Sequence, residues 1–180
     1  MNKIKNYKNL LDKVNKVVQQ KDLDLSADED LSIGIMNLIS IEEHLFFTSQ
    51  KTGKSQYLDL LNEVRLMRTE LLKRIIKDYE GEVWCISKHL LAATMRLMEV
   101  GTKELKKGNK NEAWNLFEKS YKLYSLFWGI NLKVVDVANV AKVSKDNVSY
   151  LNEKNENKGS ESVFSKLGAL VQKAIDCCRE

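Results

Sequence analysis

The sequence predicts an all-α protein: an antiparallel up-down helical bundle of four long core helices, with an amphipathic helix at each end. Apolar residues recur at helical spacing along nearly the whole chain. The chain contains no proline, and glycines stand where that spacing breaks, at Gly53, Gly81, Gly108 and Gly129. Short connections between long helices favour antiparallel neighbours. At 180 residues, 43% hydrophobic and 30% charged, the chain has the balance of an ordinary globular protein and can bury one real core.

The first predicted helix covers residues 2–21, with Ile4, Tyr7, Leu11, Val14 and Val18 on one stripe. Ser26 followed by Glu29 has the capping-box pattern and opens a second helix over 27–51. Ser55 is the expected N-cap of a third, ending near Tyr79. A fourth helix spans 82–107 and ends at Gly108. The fifth starts at Lys110, with Trp114, Phe117, Tyr121, Tyr124 and Trp128 along one face, and the pattern predicts more helix through Val134, Val137 and Val140. Residues 145–161 are polar and Asn-rich, the composition of a linker. A last amphipathic helix over 162–178 carries Val163, Leu167, Leu170, Ala174 and Cys178. The expected organisation is a bundle over 1–144 with its core at about 27–130, a linker over 145–161 and a terminal helix over 162–180.

Composition narrows the functional classes. A net charge of +4 is mild, and the lysines Lys3, Lys5, Lys8, Lys13, Lys16 and Lys21, like Lys103, Lys106, Lys107 and Lys110, are spaced around helices and mixed with acids. Such patterns are usually a solvated face, so nucleic acid is a weakly supported partner. Cys85, Cys177 and Cys178 form no metal-binding array, and the expected compartment is a reducing cytoplasm. The N-terminus lacks the apolar core of a signal peptide, and no apolar run approaches the length of a membrane span.

The stretch from Glu80 to His89 sets Cys85 and His89 four residues apart, on one helical face beside Trp84. Two ligands fall short of the three or four that zinc requires, and His44 projects elsewhere on the second helix. On a helical projection Cys85, His89, Ala92, Arg96, Glu99 and Lys103 form an outward stripe, and Trp84 reads as a core anchor. No metal and no cofactor is expected. Neither histidine has the Glu three positions before it that a ferritin-like di-iron site uses.

Two charges fall where none belongs. Glu42 projects to the centre of the apolar face of the second helix, and Arg68 to that of the third. Counting heights through reversals at Gly53, Gly81 and Gly108 places Thr94 and either Tyr121 or Tyr124 at the same level. A buried polar layer of Glu42, Arg68, Thr94, Tyr121 and Tyr124 is therefore expected. It is either a structural network that fixes helix pairing or a pocket for an anionic ligand.

The segment 106–121, KKGNKNEAWNLFEKSY, resembles the hairpins of tetratricopeptide-type and HEPN-type helical proteins. HEPN ribonucleases carry an Arg followed four to six residues later by His, which no Arg here has, so the resemblance implies no nuclease activity. Nothing supplies a nucleophile–base pair or a phosphate-binding glycine loop. The leading expectation is a non-catalytic module that binds a protein partner, or itself, through its terminal amphipathic helices. The alternatives are ligand binding in the buried layer and a helical nucleic-acid-associated module.

Overall fold

The computed structural model describes residues 25–77 and 81–135, together with Asp12, Lys13, Lys16, Leu167, Gly168, Ala169 and Val171. Among these residues the secondary structure is helical and no strand occurs. Four helices follow in order: α1 (Ser26–Thr52), α2 (Gln56–Ile75), α3 (Glu82–Lys106) and α4 (Lys110–Asn131). They are the second to fifth helices expected from the sequence. The first predicted helix, apart from Asp12, Lys13 and Lys16, and the linker over 145–161 lie outside the described residues.

The chain reverses where its glycines allow. Gly53 adopts the left-handed conformation (φ 67°), and its N–H donates to the Ser49 carbonyl, closing the last turn of α1. Gly108, at φ 85°, performs the same reversal between α3 and α4. The helices pack mainly as two hairpins, α1 with α2 and α3 with α4, while α1 against α3 is a lesser contact. The result is a bundle made of two paired units rather than four equivalent neighbours.

Element ends depart from expectation in three places. Leu25, not Ser26, is the N-cap of α1, and the Glu29 N–H that a capping box would use donates instead to the Leu25 carbonyl at 2.8 Å. Burying Leu25 in the core pulls the helix start back by one residue. α2 ends at Ile75 rather than near Tyr79, because Ile76 turns extended (φ −91°, ψ 109°). An extended residue sends Ile76 into the core beside Ile75, which two successive helical residues cannot do as well. α4 stops at Asn131, where Lys133 takes a positive φ and the N–H groups of Val134 and Val135 both donate to the Gly129 carbonyl.

The core gathers at one end of the hairpins. Leu25, the N-cap of α1, with Ile35 and Met36 of α1, meets Leu72, Ile75 and Ile76, Leu90 and Leu91, and Phe127, Trp128 and Ile130. Phe127 and Trp128 stack edge to face at 5.2 Å and Tyr124 joins both, a geometry that adds to simple burial. The aromatic face expected on α4 is only half realised. Trp128 is buried, but Trp114 is 73% exposed and Tyr121 45% exposed, and the fully buried Phe127 takes the place beside Trp128. Trp114 stands near the Gly108 reversal, away from the gathered core.

Part of the predicted terminal helix is packed inside the chain, Val171 in this same core and Leu167 in a smaller cluster with Val134. Leu167 and Val171 are buried, and the Tyr121 hydroxyl donates to the Gly168 carbonyl at 2.9 Å. Leu167, one of the apolar stripe expected to meet a partner, is thus already covered from within the chain.

Two glycines inside helices allow opposite expectations. A Cβ on Gly101 would lie 2.6 Å from Phe117 Cε1, whereas one on Gly34 would meet nothing within 4 Å. Gly101→Ala is expected to destabilise by about 1–3 kcal/mol through overpacking. Gly34→Ala should stabilise by about 0.5–1 kcal/mol through helix propensity. Urea unfolding of the two variants checks both signs.

Candidate functional site

Beyond the core, α1 and α2 bring the two anomalous charges together. Glu42 and Arg68 are 7% and 6% exposed, and Arg68 grips the carboxylate with two N–H donors. Its Nε donates to Oε1 at 2.8 Å and its Nη2 to Oε2 at 3.3 Å. Arg65, one helical turn earlier, donates from Nε to Oε2 at 2.9 Å. Arg68 Nη1 donates to the Thr69 hydroxyl at 3.3 Å, which uses a further guanidinium donor. Such fork-to-carboxylate contacts are both stronger and more directional than neutral hydrogen bonds.

The remaining members of the expected layer go elsewhere. Thr94 is buried, but its Oγ1 finds no hydrogen-bond partner, and its carbonyl accepts from Ser120 of α4 at 2.7 Å. Tyr121 bonds to Gly168. Tyr124 bonds to Ser32 at 2.8 Å; because Ser32 Oγ already donates to the Glu29 carbonyl, the tyrosine is the donor. None of the three hydrogen-bonds the Glu42–Arg68 pair. The height count treats the four helices as equivalent neighbours, whereas α3 turns its Thr94 backbone to α4 within its own hairpin.

What faces the pair instead is the first part of α3. A cavity of about 600 Å³ lies between the hairpins. Ile39, Glu42, Glu43 and Phe46 of α1 line it, with Leu61, Arg65 and Arg68 of α2. Trp84, Lys88, His89 and Ala92 of α3 complete the wall. Each helix contributes positions three and four apart, a single face in each case. His89 and Ala92, projected as part of an outward stripe, are accordingly groove residues, while Cys85 is exposed and does not line it. Trp84 is only half-buried: it packs on the edge of the core and shows its other side to the groove.

Arg65, Glu43 and Lys88 were not singled out from the sequence. For Arg65 a signal was present, since it sits three residues before Arg68 and shares its side of the helix. For Glu43 and Lys88 there was none, because each reads as an ordinary surface charge until the hairpins face one another. Arg96 ties the hairpins across the rim through an ion pair with Glu43, and it also holds Glu99.

The electrostatics follow from these contacts. Burial alone would raise the Glu42 carboxyl, but hydrogen bonds from Arg68 and Arg65, and their charges, outweigh it and hold the group below its usual 4.5. Among the described residues no three of His, Cys, Asp and Glu come together as a metal-binding set, and no helix is long and apolar enough to cross a membrane. Compared with known proteins, the chain matches no family profile, no curated protein and no solved structure. The hairpin resemblance at 106–121 therefore remains one of local pattern.

Glu42→Ala is expected to cost about 3–5 kcal/mol, because it strands the buried Arg68 charge, and Arg68→Ala should cost less, because Arg65 still holds the carboxylate. The double replacement Glu42→Leu with Arg68→Met should cost far less, and chemical denaturation of all three variants measures the difference. A coupling of only about 0–1 kcal/mol, the value of a surface pair, would contradict the buried geometry.

The lowered Glu42 pKa also sets a pH dependence. A depressed carboxyl stabilises the fold fully above its unfolded value and loses that contribution as pH falls through its folded value. The stability gap between the native chain and Glu42→Gln should therefore be constant above about pH 4.5 and narrow below it, as read from denaturation midpoints across that range.

Proposed function

We propose that this chain is a binding module that receives a ligand in the groove between its two hairpins. One observation carries the reading: a cavity of about 600 Å³ drawn from three helices, with a carboxylate held by two arginines built into its wall. That volume falls within the range of about 300–1,000 Å³ typical of small-molecule sites. A wall whose charged groups are already cross-bonded keeps its shape when the groove is empty, which lowers the entropic cost of binding.

A network that merely fixes which helix pairs with which would need neither the cavity nor the groove-facing Trp84, Lys88 and His89 opposite it. The partner reading through terminal helices has less support. The N-terminal stripe lies outside the described residues, and Leu167 of the C-terminal stripe is buried beside Val134.

Ala92 lines the groove and is half-buried, so Ala92→Trp fills it without removing a charge. Native mass spectrometry of the chain purified from cells is expected to show a small-molecule adduct that Ala92→Trp loses while its unfolding midpoint is unchanged. An adduct retained in that variant, or none at any concentration of protein, counts against the groove.

A further inference from the structure

We infer that the groove ligand carries a single anionic head group, a carboxylate or phosphate, on a flat apolar body, with the head placed between Arg65 and Lys88. The inference rests on the groove reading above and adds the chemistry of what enters.

The acceptors are used. Both Glu42 oxygens take arginine N–H groups, and Glu43 is paired with Arg96, which lies outside the lining. The donors are in surplus. Arg65 gives only its Nε to Glu42, and its two terminal nitrogens have no protein acceptor among the described residues. Its side chain is 55% exposed, so those nitrogens are accessible. Lys88, half-buried, has no ion-pair or hydrogen-bond partner among the described residues, and His89 has none either.

Formal charge points the same way. The lining holds three cations, Arg65, Arg68 and Lys88, against the two carboxylates Glu42 and Glu43. Arg96 meets Glu43 from outside and is itself balanced by Glu99, so the groove keeps one net positive charge for a guest to match. A guanidinium edge and an ammonium facing one cleft are matched to an oxyanion: the guanidinium offers a planar fork, the ammonium a mobile point charge.

The remaining walls are Ile39, Phe46, Leu61 and Trp84, apolar and partly aromatic. Phe46 is 45% exposed, although Glu42 and Ser49 on the same helical face are buried, and it meets Phe47 edge to face, which leaves ring surface open to the groove. Rings stack or meet edge to face with a flat guest, whereas a hydrated ion alone would leave them in water. A small aryl anion satisfies both halves of the groove.

The test uses the full chain and three matched probes: naphthalene-1-acetate, 1-naphthyl phosphate and the neutral naphthalene-1-acetamide. Binding is read from the Trp84 indole N–H resonance, assigned with Trp84→Phe. Both anions are expected to bind at least about tenfold more tightly than the amide, the factor lost with one charge-assisted contact. Lys88→Gln should weaken the anions by a similar factor, leave the amide unaffected and leave stability unchanged, since Lys88 holds nothing in the fold. The tighter of the two anions identifies the head group. If the amide binds as tightly as the anions, or Lys88→Gln changes nothing, the anionic head is wrong and the groove reading survives. If inorganic phosphate binds as well as naphthyl phosphate, the flat apolar body is wrong. If no probe shifts Trp84, both the inference and the groove reading fall.

Discussion

A carboxylate that has left water must be met by positive charge, and that constraint organises this protein above its core. Glu42 sits in the middle of the apolar face of α1, where an unpaired charge would cost several kcal/mol. Arg68 answers it with two donors from α2, and Arg65 with a third. Because a guanidinium fork accepts few orientations, the pair sets the relative height of α1 and α2 as well as their contact. A slip of one helical turn would break the two-donor contact from Arg68, so the pair favours one register of this hairpin.

The apolar core and the charged pair divide the bundle lengthwise. Below the pair, all four helices converge on Ile35, Leu72, Leu91, Phe127 and Trp128, each essentially excluded from solvent. Above it, the hairpins touch less and large apolar side chains emerge, among them Phe46, Phe47, Leu60 and Trp114. The α3–α4 hairpin stays closely packed toward its own turn, where Gly101 admits the ring of Phe117. The space that opens therefore lies between the hairpins rather than within either one. Its walls are rigid for two independent reasons, ion pairing on the α1–α2 side and tight helix contact on the α3–α4 side.

Two regions far apart in sequence gain a shared meaning from this arrangement. Trp84, Lys88 and His89 belong to the first turns of α3, a stretch whose Cys and His hint at a metal that the described residues do not assemble. Glu42, Arg65 and Arg68 belong to the other hairpin. Facing one another, they form a cleft with aromatic walls and more hydrogen-bond donors than acceptors. The chemistry belongs to the pairing of hairpins, and neither stretch carries it alone.

Helical periodicity, the absence of proline and the positions of Gly53, Gly81 and Gly108 were enough to determine the four helices α1 to α4, their order and their reversals, because each is a local property of the backbone. The same projection found Glu42 and Arg68, since a charge at the centre of an apolar face stands out within one helix and admits few partners. The neighbours of that pair were decided by tertiary structure. Thr94, Tyr121 and Tyr124 have the right chemistry and nearly the right height, yet they bond within or beside the α3–α4 hairpin. Periodicity says which side of a helix faces inward, but not which of several neighbours that side meets. Lys88 and Arg65 show the converse: as isolated surface cations they are unremarked, and they come to line one groove only when packing of α1 against α3 sets two helix faces across a gap. Which faces meet is a long-range property, decided by how Ile76, Leu91, Phe127 and Trp128 fill one core together, and no local window of residues contains it.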